Sequence, residues 1–458
     1  MKKTTALAIF LSAVIFAAGI LSGCDFRIKS SENLIRPPRI SGENGALELA
    51  FEDAVQDMGE KILRYPASGT YRSAYVRYDC DGDGMDEAFV FYSPAIDEMS
   101  VYMYMLDFRD GAWHPVINIP GDGSNIYSIE FYDLDGDGTS ELLVGWSNFD
   151  SKSSNTLTVY CPEINEEGIL SYKAAAIESF SCMLPVNVDD DDVTELIIAL
   201  IDKASESDGA GLVALELGKN NGSSAMSIQA KTSLYPGVTS VNKISADLSE
   251  GKTRLFVDEA ADGSYFTEVF YCDPDEKTLE PVFEINAQSF SVCPTLRTTT
   301  PYCADVNRDG LFEIPVSATM DGCFIYSTQE SVSGEASAED SIIGNVSLTS
   351  WCTLQDDGML EPISSSVINS YDGFSLNWDE DILKWSTINI YPDRGMTEIL
   401  DSDGNVLFSI VAVDAVDAGK TDGLLAVTAT TAYVSHITDD GVEYGIQDKL
   451  ITKIFSLF

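Results

Sequence analysis

A mainly β fold made of repeated four-stranded units is predicted by three observations. An acidic nine-residue pattern recurs through the middle of the chain, apolar runs of strand length flank each copy, and the spacing leaves room for four short strands and their turns. The copies start at residues 79, 133, 187, 247 and 305, so the spacing runs from 54 to 60 residues.

In chain order, the first element is an export signal. Met1-Lys2-Lys3 precedes an apolar stretch from Ala6 to Ile20 and then Leu21-Ser22-Gly23-Cys24. A basic start, a short apolar region and a small-residue cleavage site make up a secretory signal. The stretch falls short of the roughly 20 residues that span a bilayer as a helix. Leu-Ser-Gly-Cys resembles the lipobox of bacterial lipoproteins, which implies a diacylglyceryl group on Cys24 and cleavage just before it. Residues 1–23 are then the signal peptide, and the chain is held outside the cell on its membrane. An uncleaved anchor, or an ordinary signal peptide with a chance Cys, is the other reading. Residues 24–45, with Ser30-Ser31, Pro37-Pro38 and Gly42 and no apolar period, form a semi-rigid tether. Arg27, Lys29, Arg36 and Arg39 on it either meet anionic head groups or are simply solvated.

Residues 46–368 carry a helix and the repeats. Leu47, Phe51, Ala54, Val55, Met58 and Ile62 fall at helical spacing. In the second repeat, Ile126–Tyr132, Leu142–Trp146, Leu157–Tyr160 and Ile169–Ala175 read as four strands, with a turn at residues 165–168. Four strands per unit is the blade count of a β-propeller.

The loops between the first two strands carry the chemistry. Residues 79–87 read DCDGDGMDE, 133–141 DLDGDGTSE and 305–313 DVNRDGLFE. A hard cation such as calcium takes six to eight oxygens at about 2.3–2.6 Å. Side chains at positions 1, 3 and 5 of a tight loop converge, Gly at position 6 permits a sharp turn, the position-7 carbonyl points inward and the position-9 Glu closes the shell. The expected calcium ligands are Asp79, Asp81, Asp83, Met85 (carbonyl) and Glu87; Asp133, Asp135, Asp137, Thr139 and Glu141; and Asp305, Asn307, Asp309, Leu311 and Glu313. Residues 187–195 (NVDDDDVTE) offer Asn187, Asp189, Asp191, Val193 and Glu195 but have Asp192 in place of the glycine, so metal and no metal are equally open there. At Asp247 the second and third carboxylates are replaced by Ser249 and Gly251. No site is expected at that copy, and Asp247→Ala should be almost silent. An EF-hand closes with an acidic residue at position 12; here that position is Val90, Val144, Ile198 and Val316, so the EF-hand is excluded.

These loops resemble those of the FG-GAP and VCBS families, the calcium-loop repeats of integrin-type β-propellers, over roughly residues 66 to 368. The resemblance implies a propeller of four-stranded blades, with Ca2+ bound in the loops as a structural cofactor. Five units are readable; a five-bladed ring and a larger one with unreadable blades both fit.

Residues 369–458 lose the period. Phe374–Trp378, Ile388–Tyr391 and Val406–Val413 read as strands, Asp403-Gly404 as a hairpin turn, and Ile446, Leu450, Ile451, Ile454 and Phe455 as a closing helix. A small α+β domain is expected.

A net charge of −47 excludes nucleic acid as a partner, while 45% apolar residues allow a large core. The cysteines beyond Cys24 show no CxxC pair, and their pairing is open. With two histidines, His114 and His436, a His-based catalytic or metal centre is excluded. The favoured function is a non-catalytic surface module that binds a protein or glycan ligand; the alternative is a carbohydrate-active enzyme, a polysaccharide lyase or glycosidase, on the same scaffold. A glycosidase needs two carboxylates about 5–10 Å apart. With 74 acidic residues proximity identifies none, so no catalytic residue is assigned. Trp146, Trp351, Trp378 and Trp385 are able to stack on sugars, although packing is the commoner use.

Overall fold

The computed structural model describes residues 43–457, leaving out 149–154, 165–168, 190, 192, 202–208, 221–222, 250, 274–275, 287, 299, 329–339, 382 and 417–421. Cys24, the signal peptide and most of the tether lie outside the described residues. No described helix is long and apolar enough to cross a membrane.

The expected blades are present as antiparallel sheets that follow one another along the chain. Blade II consists of Asn125–Tyr132, Glu141–Ser147, Asn155–Ile164 and Leu170–Phe180, within a few residues of the expected strands. Blades III (residues 182–233) and IV (residues 240–281) have the same four-stranded order. In blade I, Lys61–Leu63 and Tyr75–Tyr78 share one edge of Glu87–Pro94, so its first strand is built in two pieces.

The unbroken apolar runs follow from blade stacking. A strand between two neighbours buries both faces, so it loses the alternation of a half-buried strand. Leu142, Val144 and Trp146 pack toward blade I with Phe89 and Met103. Leu143, between them, packs toward blade III with Leu196 and Ile198. Ile197 and Ala199 then meet Leu255 and Val257 of blade IV, and Phe256 meets Ile314 and Leu354 of blade V.

Both ends of this series are covered by other elements. Helix α1 (Glu43–Ala54) lays Leu47 and Phe51 on Ala88, Val90 and Tyr92 of blade I. The expected helix is shorter than its periodicity suggested. It stops at Ala54, the chain turns through Gly59 at φ +73°, and Ile62 becomes part of an edge strand opposite Ser93.

Blade V comprises Ile314–Thr328, Asp340–Leu354, Leu360–Asn369 and Phe374–Asn377. Its sheet continues into the C-terminal strands: Ile325 pairs in parallel with Ile390, and Phe374 pairs with Leu457. Residue 369 therefore lies within one ten-stranded sheet. The core of this end joins Val367, Phe374 and Leu376 to Ile399, Phe408 and Ile451. The hairpin turn at Asp403-Gly404 is present between Met396–Leu400 and Val406–Asp414. The closing helix covers only Asp448–Ile454, and Phe455 begins a strand. No sixth blade occurs among the described residues. The eight cysteines beyond Cys24 are all free thiols.

Candidate metal centres

The Asp79, Asp133 and Asn187 loops each join the first strand of their blade to the second, so the buried apolar strands hold their two ends a fixed distance apart; the Asp305 loop leads directly into Ile314–Thr328 and is closed by a bridge between Ala304 and Glu313. Within the loops the backbone repeats one scheme. Gly84, Gly138 and Gly310 at position 6 sit at φ +88°, +89° and +91°, a region closed to side chains by backbone sterics. Their amides donate to the position-1 carboxylates, Asp79, Asp133 and Asp305, at 3.0, 2.9 and 3.0 Å. Position 4 is also left-handed, with Gly82, Gly136 and Arg308 there. The repeated glycine at position 4 was a visible signal for this second turn.

The position-9 glutamates are fixed from within. Glu87, Glu141, Glu195 and Glu313 each accept the position-2 amide on Oε2, at 2.8–2.9 Å from Cys80, Leu134, Val188 and Val306. That leaves Oε1 of Glu87, Glu141 and Glu195 for another partner, while Glu313 Oε1 accepts Asn307 Nδ2 at 3.4 Å. At position 5, Asp83, Asp137, Asp191 and Asp309 each accept the amide of position 7, which is Met85, Thr139, Val193 or Leu311.

The carboxylates that meet are a subset of the expected ligands. Asp79, Asp81 and Glu87 form one trio, Asp133, Asp135 and Glu141 a second, and Asp189, Asp191 and Glu195 a third, with one oxygen of each residue within 4.8 Å of the others. Oxygens bound to one calcium at about 2.4 Å are separated by at most about 4.8 Å, so this spacing fits a shared ion. Asp83 and Asp137 fall outside the trios. Around Asp305 no such trio forms, because position 3 is an amide. Asn307 Nδ2 donates to Asp309 at 2.9 Å, and its Oδ1 accepts the Asp309 amide at 2.8 Å. In the Asn187 loop the amide at position 1 donates to the Asp191 carbonyl; Asp192, which replaces the glycine, lies outside the described residues.

The electrostatics of the first two loops favour a cation. Asp79 Oδ1 and Asp135 Oδ1 are buried acceptors without a hydrogen-bond partner, a costly arrangement unless something positive meets them. Burial, reinforced by neighbouring carboxylates, pushes Glu87 and Glu141 up to about 7. Burial likewise raises Asp81, Asp135 and Asp189. Crowded carboxylates in this state hold either protons or a cation. The residues present thus fit an oxygen-coordinated divalent ion at the Asp79 and Asp133 loops.

The Asp247 copy overturns the expectation of an idle position. No loop exists there. Residues 240–249 and 252–261 form a continuous hairpin that turns at Gly251, and Asp247 lies directly opposite Arg254. The two side chains make a bidentate pair at 2.7 and 2.7 Å, with relative exposures of 3% and 0%. Asp247 also accepts the Phe312 amide at 2.7 Å, and Arg254 donates to the Leu354 carbonyl. Nothing in the local spacing announced this pair, since Arg254 stands where the other copies have an unremarkable position 8.

The copies are also tied to one another. Ser140 N donates to Cys80 O at 2.8 Å, and Thr194 N to Leu134 O at 3.1 Å. Thr253 Oγ1 donates to Val188 O at 3.0 Å, and the Phe312–Asp247 bond completes the series. Position 8 of one loop therefore holds the start of the loop before it in three of the four junctions; at the remaining one, position 7 does so.

Residues 79–144 match the FG-GAP-like repeat family, and the match runs from the start of the first loop through the second loop into the strand that follows it. The repeats are of the FG-GAP type, and the four-stranded sheets are propeller blades. Comparison with curated protein sequences finds no match. Among solved structures, Sqt1 of Chaetomium thermophilum is similar at 13% identity over 79% of this chain and 93% of that one, with a TM-score of 0.30. Fructan 1-exohydrolase IIa of Cichorium intybus shares 10% identity over 85% and 86%, with a TM-score of 0.27. A hypothetical selenium-binding protein of Sulfolobus tokodaii shares 13% identity over 46% of this chain at a TM-score of 0.28; the chain spans about half of that protein's length, 54%. Likenesses this slight carry no further weight.

Proposed function

We propose that the chain is a non-catalytic binding module on a calcium-stabilised β-propeller, exported and held at a cell membrane through a lipid on Cys24, with a protein or glycan as its ligand. The observation behind the calcium reading is the pair of orphaned, buried acceptors, Asp79 Oδ1 and Asp135 Oδ1, each within a carboxylate trio. A bound calcium would supply positive charge to these oxygens and rigidify the turn between the first two strands. Asp79, Asp81 and Glu87 would hold one ion, and Asp133, Asp135 and Glu141 another. Loops fixed in this way give a rigid rim to the blades, and rigid rims are where ligands are met at low entropic cost.

The test is thermal unfolding of the full chain across a calcium titration and then in chelator. Binding to the native state alone adds about 2.7 kcal/mol at a hundredfold excess over Kd. An unchanged melt across that titration overturns the calcium reading.

A further inference from the structure

A second concave site lies away from the acidic loops, between blade V and the segment that leads into it. It is a cavity of ≈ 710 Å³, within the roughly 300–1,000 Å³ of small-molecule sites. Its floor is one face of the ten-stranded sheet. Trp351 is opposite Ser364, Ser366 opposite Asn377 and Ile368 opposite Ser375. Residues between these, Val367 and Leu376, point the other way into the core. The wall comes from residues 300–306, including Thr300 and Tyr302.

The chemistry of this lining is unusual for the chain. No Asp or Glu lines the cavity, although the sequence has 74 of them. One cation, Lys243, lines it, and its Nζ is already engaged by the Cys303 carbonyl at 2.8 Å and lies over the Phe312 ring. What remains is hydroxyl groups, one exposed amide and two aromatic rings. Trp351 is half-buried and held by a bond from Nε1 to Ser366 Oγ at 3.0 Å, while Tyr302 is exposed. The other tryptophans differ. Trp113, Trp146 and Trp378 are buried in cores, and Trp385 packs on Tyr444.

We infer that this cavity binds a neutral saccharide. A pyranose presents flat C–H faces to an aromatic ring and hydroxyls, both donor and acceptor, around its edge. Trp351 and Tyr302 offer the rings, and Ser364, Ser375 and Asn377 offer partners able to donate or accept. A charged ligand would find no free opposite charge, and the chain's net charge of −47 repels an acidic one. This names the ligand class of the module proposed above and rests on that reading.

The full chain, in calcium, is titrated with cellotriose, maltotriose, mannotriose and chitotriose, with trigalacturonic acid as the charged control, following tryptophan fluorescence and heat. The expected result is saturable binding of at least one neutral trisaccharide with Kd below about 1 mM. Trp351→Ala should weaken it about tenfold, with Trp351→Phe retaining part of the affinity. Asn377→Ala, at an exposed position, should weaken it with an unchanged melt. If a trisaccharide binds wild type and these three variants equally, the cavity is not the site, although the module reading stands. If none of the neutral probes binds while calcium still raises the melt, the inference is overturned and the calcium reading survives. Binding of trigalacturonic acid alone overturns the neutral class.

Discussion

Replacing Asp247 by Ala separates the two ways in which this chain satisfies its acidic turns. The substitution strands the Arg254 guanidinium, 3% exposed, without its bidentate partner, and also leaves the Phe312 amide without its acceptor. Breaking a buried ion pair by removing one partner costs about 3–5 kcal/mol. Loss at Asp247 should be the same in calcium and in chelator, because Arg254 is part of the chain. Asp247→Leu combined with Arg254→Met should recover much of the stability, since a packed apolar pair commonly replaces a buried ion pair at little cost. Urea unfolding of wild type, Asp247→Ala and the double variant, each with calcium and with chelator, measures all of this. A single variant within about 0.5 kcal/mol of wild type would refute the reasoning, since that is the range of an inert surface change.

The remaining predictions concern the ion, the proton and the anchor. Asp81→Ala and Asp135→Ala, each within a trio, should lower stability by about 1–3 kcal/mol in calcium and little in chelator, whereas Asp309→Ala, in the loop where no trio forms, should lose the same in both; calorimetric calcium titration of each variant decides it. Without calcium, Glu87 and Glu141 hold protons up to about 7, against an ordinary value of 4.5. The native state then binds more protons than the unfolded chain across that window, so stability is greatest below it and falls as pH rises through about 7. Melts in chelator should therefore rise on acidification from neutral pH, and Glu87→Gln with Glu141→Gln should flatten the slope; a slope unaltered by the pair removes these glutamates as its source. Cys24→Ala should abolish membrane association and block processing, as fractionation and mobility on a gel report; a variant that still pellets uncut would point to a retained apolar anchor.

How much of this was legible depends on how local the signal is. Strand order and loop placement were readable because a blade strand buried on both faces leaves an apolar run such as Leu142–Trp146, and because loop ligands lie within nine residues. The helix was overextended through Ile62, since apolar spacing continued past a backbone break set by Gly59. Asp247 was misjudged for the opposite reason. Its alignment to the repeat was sound as far as residue 247, but the loop had become a hairpin whose register sets Arg254 across from it. The Asp258–Arg297 pair, fully buried at 2.7 Å, joins residues far apart in sequence and had no readable trace. The same holds for the cavity beside Trp351, which exists only once residues 300–306 lie over the sheet.

The hydrogen bonds from each loop to the one before it make the repeats a linked series. Ordering of the Asp133 loop fixes Ser140, whose amide grips Cys80 at the mouth of the Asp79 loop. Arg254 gives this series a fixed end. Its cation is covalently attached and present at every calcium concentration, so the Asp247 link is always closed and the Phe312 end of the Asp305 loop is always held.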